Sequence, residues 1–314
     1  MARALHADEI PIDADLVRGL VRRALPEHAD APIRRLASSG STNALFRLGE
    51  DLLVRLPRQP GGSATISKEA TWLPVLRPLL PVSVPDVVAV FEPDRGYPER
   101  WSVVRWIGGA HPEVVDPDTP VDPRREDLAE DLAKVVRALG RAEVPTRAVN
   151  SPDLKWYRGE PLATMDQATR ENIEHCRSLA DFELDLDAAE RIWAEAMELP
   201  GVADRTTARW FHGDLAAENL LVRDGALAAV LDFGGLSVGD PTVDLVVAWE
   251  VLDPPARERF RRQLGVDDAT WLRGRAWALS ITLMIWYYWT TMPERRARCM
   301  AVGRNVLTDA GHSV

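Results

Sequence analysis

The segment WFHGDLAAENLLVRDGALAAVLDFGGLSVGDPTVDLVVAW, residues 210–249, holds carboxylates in an ordered pattern. Asp214 sits in His-Gly-Asp, Asn219 follows five positions later, and Asp232 opens Asp-Phe-Gly eighteen positions after Asp214. Such a set suits phosphoryl transfer. One carboxylate must orient and deprotonate an acceptor hydroxyl, while a side-chain oxygen and a second carboxylate hold Mg²⁺ on nucleotide phosphates. Each tripeptide alone is weak, because Asp and Gly are ordinary turn residues. Asp240-Pro241 likewise reads as a helix N-cap followed by Pro at the first position. The order and spacing of the set carry the signal.

Those residues need elements to position them. Two short β-like runs, 219–222 and 227–231, flank the turn Arg223-Asp224-Gly225-Ala226, and a hairpin there returns Asp232 to the cleft of Asp214. Upstream, residues 15–24 have apolar residues at helical spacing, and 32–56 read as β with a hairpin about Gly49-Glu50-Asp51. A helix is expected over 68–80, strands over 87–91 and 101–106, and helices over 125–141 and 185–199. From Pro241 onward the pattern is mostly helical. The expected outline is a β-rich lobe over 1–104, a hinge at 105–109 and a helical lobe over 110–314.

The stretches HGDLAAENLLV (212–222), LDFGGLSVGDP (231–241) and DLVVAW (244–249) resemble the aminoglycoside phosphotransferase family. This is a branch of the protein-kinase-like fold that includes macrolide phosphotransferases and is distantly related to choline kinases. The resemblance implies an α+β, bilobal fold and transfer of a phosphoryl group from ATP or GTP to a small-molecule hydroxyl. By that match Asp214 is the catalytic base, Asn219 and Asp232 are Mg²⁺ ligands, and Asp244 braces the catalytic loop through backbone amides. His212 is expected to support the loop by hydrogen bonding. Arg55 stands where a kinase-like lobe has its phosphate-binding lysine, and Glu69 at the position that pairs with that cation. Arg is an effective bidentate phosphate donor, and this chain has only Lys68, Lys134 and Lys155. The plainer alternatives are a strand cation at Arg55 and a helix first-turn Glu at 69. The loop carrying Ser39, Gly40, Ser41, Thr42 and Asn43 is placed to cover the phosphates. Arg105, Trp106 and Ile107 fall where a hinge would offer backbone groups to the purine.

Composition narrows the classes. Of 314 residues, 46% are apolar and 27% charged, ordinary values for a folded chain. The formal net charge of −10 argues against nucleic acid as a partner. Two cysteines make no disulfide framework and no zinc quartet. The acidic N-terminus lacks the apolar run of a secretory signal. The uncharged stretch 276–293 reads as a buried aromatic helix and not a membrane span, so a cytoplasmic chain, monomeric or homodimeric, is expected. Trp277, Trp286, Trp289, Tyr287 and Tyr288 in that region read as core before they read as a sugar-stacking platform. Trp249 and Glu250 are candidates for the acceptor pocket.

Residues 1–104 balance 13 basic against 13 acidic side chains, whereas 105–314 carry the whole net charge. The acidic stretch from Asp181 to Glu198 either draws a cationic acceptor or solvates a helix face. The alternatives to an antibiotic-type kinase are a metabolic kinase of choline, homoserine or sugar type, or a nucleotide-binding pseudokinase.

Overall fold

The computed structural model describes residues 8–36, 42–205 and 208–312. Two compact units emerge, one running to Pro78 with Ser83–Gly108, the other comprising Leu79–Val82 with Gly109 onward. The division falls between the two glycines that follow Ile107.

In the first unit α1 (Ala14–Ala24) opens on Asp13, whose carboxylate accepts from the Leu16 amide at 2.8 Å. Its buried face, Val17, Leu20 and Val21, packs on a five-stranded antiparallel sheet. The strands are β1 (Ile33–Arg35), β2 (Asn43–Leu48), β3 (Leu52–Pro57), β4 (Val87–Phe91) and β5 (Trp101–Arg105), in the order β1-β2-β3-β5-β4. The expected hairpin forms in the register Asn43↔Pro57 to Leu48↔Leu52. Phe46, Val54, Leu56, Trp101 and Val103 fill the shared core.

The helix α2 spans Ser63–Leu76, not 68–80, and runs on as a 3₁₀ turn over Arg77–Leu79. Its early start has a cause outside its own sequence. The Glu99 carboxylate, from the loop before β5, accepts from the amides of Gly61 (2.9 Å) and Ser63 (2.7 Å) and from the Ser63 hydroxyl. It satisfies helix-start donors that no local side chain caps. Glu69 therefore lies mid-helix and buried, instead of in an exposed first turn.

The second unit is mainly helical. Its α-helices are α3 (Arg124–Arg141), α4 (Thr146–Val149), α5 (Asp166–Arg177), α6 (Leu186–Met197), α7 (Val247–Val251), α8 (Pro254–Leu264), α9 (Asp268–Leu283) and α10 (Pro293–Asp309). Two small β pairs interrupt them. β6 (Arg209–Phe211) pairs antiparallel with β9 (Ser237–Gly239), and β7 (Leu220–Arg223) with β8 (Ala226–Val230). The stretch 276–293 is not one helix: α9 ends at Leu283, and a 3₁₀ turn covers Met284–Tyr288. Trp277 and Trp289 are buried, whereas Tyr287 is 65% exposed. Among the described residues no helix is long and apolar enough to cross a membrane.

Hydrogen bonds from Ser63 and Gly61 hold the Glu99 carboxyl below its ordinary value, overcoming the opposing effect of burial. A depressed carboxyl stabilises the fold above its unfolded-state pKa and loses that contribution as pH falls through its folded-state pKa. Glu99→Ala should therefore cost about 1 kcal/mol at neutral pH, a typical capping contribution. In thermal melts the gap between wild type and variant should shrink on acidification through and below the ordinary glutamate range. A gap independent of pH would dissociate Glu99 from the cap.

Candidate active site

The His212-Gly213-Asp214 turn leaves β6, and Asp232 leaves β8. Three interactions fasten these two exits together. The Asp244 carboxylate accepts from the His212 amide at 2.7 Å and the Gly213 amide at 2.8 Å. The His212 ring accepts from the Asp214 amide on Nδ1 at 3.2 Å, which makes Nε2 the protonated nitrogen donating to the Leu231 carbonyl at 3.0 Å. The Leu231 amide donates to the Asn219 carbonyl at 2.7 Å. His212 thus ties the segment before Asp214 to the residue before Asp232. Burial pushes the Asp244 carboxyl up, against the two amides that favour its charged form.

Gly213 makes this geometry possible. Its φ of +83° suits glycine, and a Cβ there would lie 2.6 Å from the Gly235 carbonyl and 2.7 Å from the Trp156 ring. Asp232 adopts φ +52°, strained for a residue with a side chain, and its carboxylate accepts from the Gly234 amide at 3.2 Å. Pro241–Val246 forms a 3₁₀ turn capped by Asp240, which presents Asp244 to the loop.

Asn219 ends the 3₁₀ turn Ala217–Asn219, so β7 begins one residue later than the expected run. Its Nδ2 donates to the Asp214 carbonyl at 2.8 Å and to Asp214 Oδ2 at 3.2 Å. Asp214, Asn219 and Asp232 are thereby linked through short hydrogen-bonded paths. The amide oxygen of Asn219 and the carboxylate of Asp232 are hard oxygen donors. Among the described residues no group of three or more His, Cys, Asp or Glu is arranged to hold a metal. A donor set this sparse fits Mg²⁺ carried in on nucleotide phosphates, since Mg²⁺ keeps waters and needs few protein ligands.

Sequence reasoning missed Arg158. The residue follows Trp156-Tyr157 and is buried, with its guanidinium 2.8 Å from both Asp214 Oδ1 and the Gly213 carbonyl. Its Nε donates to the Tyr157 hydroxyl at 3.1 Å, and its guanidinium lies 4.6 Å from the Trp156 ring centroid. Gly159 seats this segment: a Cβ there would meet the Phe211 ring at 2.6 Å, and its carbonyl accepts from the Asp240 amide at 2.9 Å. Burial works to raise the Asp214 carboxyl, but the Arg158 charge and hydrogen bond hold it below its ordinary value.

A cavity of about 250 Å³ opens beside Asp214 and Arg158. Val243, Val246, Ile281, Ile285 and Val302 give it apolar walls, and Tyr287 and Tyr288 line it as well. Glu250 faces it from α7, while Trp249 is buried in the core, its ring 4.7 Å from that of Trp271. Glu218 turns to Arg298, at 3.0 Å.

In the first unit, Arg55 on β3 is buried and paired bidentately with Glu69 of α2, at 2.5 and 3.2 Å. Thr42 accepts from the Arg58 amide through its carbonyl, and Asn43 starts β2. Ser39, Gly40 and Ser41 lie outside the described residues. Arg105 is exposed, ion-paired to Asp86 at 3.3 Å. Trp106 lies beneath Arg47, whose guanidinium is 3.9 Å from the ring centroid, and Ile107 is half-buried.

The model of a phosphotransferase enzyme family matches residues 33–277. An aminoglycoside 3'-phosphotransferase of Escherichia coli is 35% identical over 85 residues, 26% of this chain. The match spans only 30% of that relative's own length. Among solved structures, the GDP and kanamycin complex of APH(2")-IIia superposes with a TM-score of 0.66 at 21% identity, covering 94% of this chain and 98% of the other. The macrolide 2'-phosphotransferase MphH of Brachybacterium faecium gives 0.62 at 22% identity, covering 92% and 97%. The α+β fold, a small antiparallel sheet unit and a larger helical one, is the fold of these enzymes. With the family model matched over most of its length, the chain belongs to the phosphotransferase enzyme family.

Proposed function

We propose that this protein is a small-molecule O-phosphotransferase, moving the γ-phosphoryl group of ATP or GTP to an acceptor hydroxyl. The observation that carries the reading is the Asp214–Asn219–Asp232 frame, fastened by His212 and Asp244 beside a cavity of small-molecule size. Relatives of the same fold were solved with GDP and kanamycin and with ADP, which makes a purine nucleotide the co-substrate to test first.

Asp214 is the proposed base. Its carboxylate would accept the hydrogen bond of the acceptor hydroxyl and take its proton as the new P–O bond forms. Phosphoryl transfer asks mainly for positioning, so a carboxylate held below its ordinary pKa suffices. Arg158 is a positioning residue: it fixes Oδ1 while Asn219 fixes Oδ2. Asn219 and Asp232 would hold Mg²⁺ on the nucleotide, and the bound ion would supply neutralisation of phosphate charge. Arg55, oriented by Glu69, is the proposed grip on the α/β-phosphate oxygens, a task suited to its planar fork. Residues 39–43 and the backbone of 105–107 are proposed for the phosphates and the purine. Aminoglycosides head the acceptor panel, since kanamycin and gentamicin occur in solved relatives. Macrolides and primary-metabolism alcohols complete it.

Asp214→Ala should lower kcat by about 10²–10⁴ while nucleotide affinity stays close to wild type. Equal loss of both would remove Asp214 from the role of base. Arg158→Ala should lower kcat about tenfold to a hundredfold with little change in nucleotide KM, as expected for a displaced catalytic group. Arg158→Lys should recover part of the loss. If alanine and lysine variants were equally impaired and equally destabilised, Arg158 would be a fold residue only. Arg55→Ala should act differently, raising nucleotide KM more than it lowers kcat, as steady-state kinetics would reveal.

A further inference from the structure

The outer side of α1 carries a basic concavity that the chemistry at Asp214 does not use. Asp15, Arg18, Gly19, Arg22 and Arg23 of the helix line it, and Arg95 reaches it from the turn between β4 and β5. Arg23 pairs with Asp94 at 3.2 Å. Arg18, Arg22 and Arg95 form no ion pair among the described residues, so the lining sets three guanidiniums against Asp15. The excess is local, because the charges of residues 1–104 balance overall.

Three local choices oppose stability, and each one builds this concavity. Arg95 has φ +52° and Gly96 φ +80°, in a two-residue turn closed by Asp94 and Tyr97. Such a turn favours Asn, Asp or Gly at its first central position, and arginine is a strained choice there. Gly19 lies inside α1, where glycine weakens a helix relative to alanine. A Cβ at Gly19 would fall 2.5 Å from Arg95 Nε, so the missing side chain is what admits the guanidinium. Arg18 and Arg22 are one turn apart, a spacing at which like charges repel. The dipole at the end of α1 favours Arg22 and Arg23, but it does not account for Arg18 or Arg95. Departures from local preference that converge on one place, with no ion pair to offset them, mark a functional site.

The concavity is separate from the proposed phosphate grip. Val54 and Leu56 of β3 share a core with α1, whereas Arg55 between them points to the opposite face of the sheet and Glu69 of α2. Its lining also fits a different ligand. No aromatic or aliphatic side chain is there to seat a purine or an acyl chain. What remains is a set of guanidinium forks, which match phosphate oxygens bidentately.

We propose that this concavity is a second anion site, for a phosphate chain that carries no base or sugar: inorganic polyphosphate. Arg18 and Arg22 flank Gly19 along the helix, and Arg95 lies against Gly19 from the side. Linked phosphates can engage all three guanidiniums at once.

The test is calorimetric titration of the intact protein with sodium tripolyphosphate at about 0.15 M salt, where distant exposed charges are screened. Wild type should bind it, and Arg95→Asn should weaken binding about tenfold or more, the loss of one charge-assisted contact. Asn tolerates the positive φ of that turn, so the fold is kept while the guanidinium is removed. Gly19→Ala gives an independent reading. Its Cβ would displace the Arg95 side chain, while alanine favours the helix. Binding should therefore weaken severalfold although the thermal midpoint does not fall. No binding by wild type, or an affinity unchanged in both variants, would overturn the proposal. Citrate bound as tightly as tripolyphosphate would overturn the phosphate assignment, since charge alone would then explain the affinity. Binding lost in Arg55→Ala and kept in Arg95→Asn would move the ligand to the other face of the sheet and sink the second site.

Discussion

The site depends on one buried carboxylate receiving two main-chain amides. Asp244 takes the His212 and Gly213 N–H groups, and in doing so fixes a turn whose glycine sits at positive φ against Gly235. Neither strand end could hold that conformation alone. With the turn fixed, the His212 ring has one nitrogen on each side of the site, reaching the Asp214 amide and the Leu231 carbonyl. A single neutral tautomer satisfies both bonds. Carboxylates that repel one another are thus held close by backbone dipoles and one imidazole, before any substrate arrives.

The motif residues were legible because their spacing is local. Asp214, Asn219 and Asp232 fall within nineteen residues, and the β7–β8 pair that closes them shows in the sequence as two apolar runs around Asp224-Gly225. The β2–β3 hairpin was legible for the same reason. What the sequence hid was delivered from afar. Arg158 precedes its partner Asp214 by 56 residues, within a 3₁₀ turn with no periodicity to mark it. Glu250 was a pocket candidate by position alone; the burial of α7 and the reach of Arg298 from α10 give it its special environment. The start of α2 was misjudged because its cap, Glu99, is 36 residues away from Ser63.

Electrostatics divide the second unit into two working regimes. At Asp214, a guanidinium and an amide occupy both oxygens, so the carboxylate is kept charged and still. At Glu250, burial prevails over an imperfect ion pair, and the carboxyl is pushed up to about 7. Two acids in one cavity are tuned in opposite directions by the same pair of forces, desolvation and a nearby arginine. The difference is geometric: 2.8 Å to Arg158 in one case, 3.5 Å to Arg298 in the other.

The shared guanidinium of Arg298 bears on how such an enzyme changes over evolutionary time. Because Glu218 holds Arg298 by itself, replacing Glu250 does not strand a buried cation, the event that makes most ion-pair losses severe. Glu250 can therefore change without unpinning Arg298 from Glu218, the acid within the 214–219 loop. Lineages could trade it for a neutral or apolar residue, and so reshape the cavity wall, while Arg298 stayed pinned to the 214–219 loop. Redundancy in one salt bridge becomes latitude in the lining of the cavity.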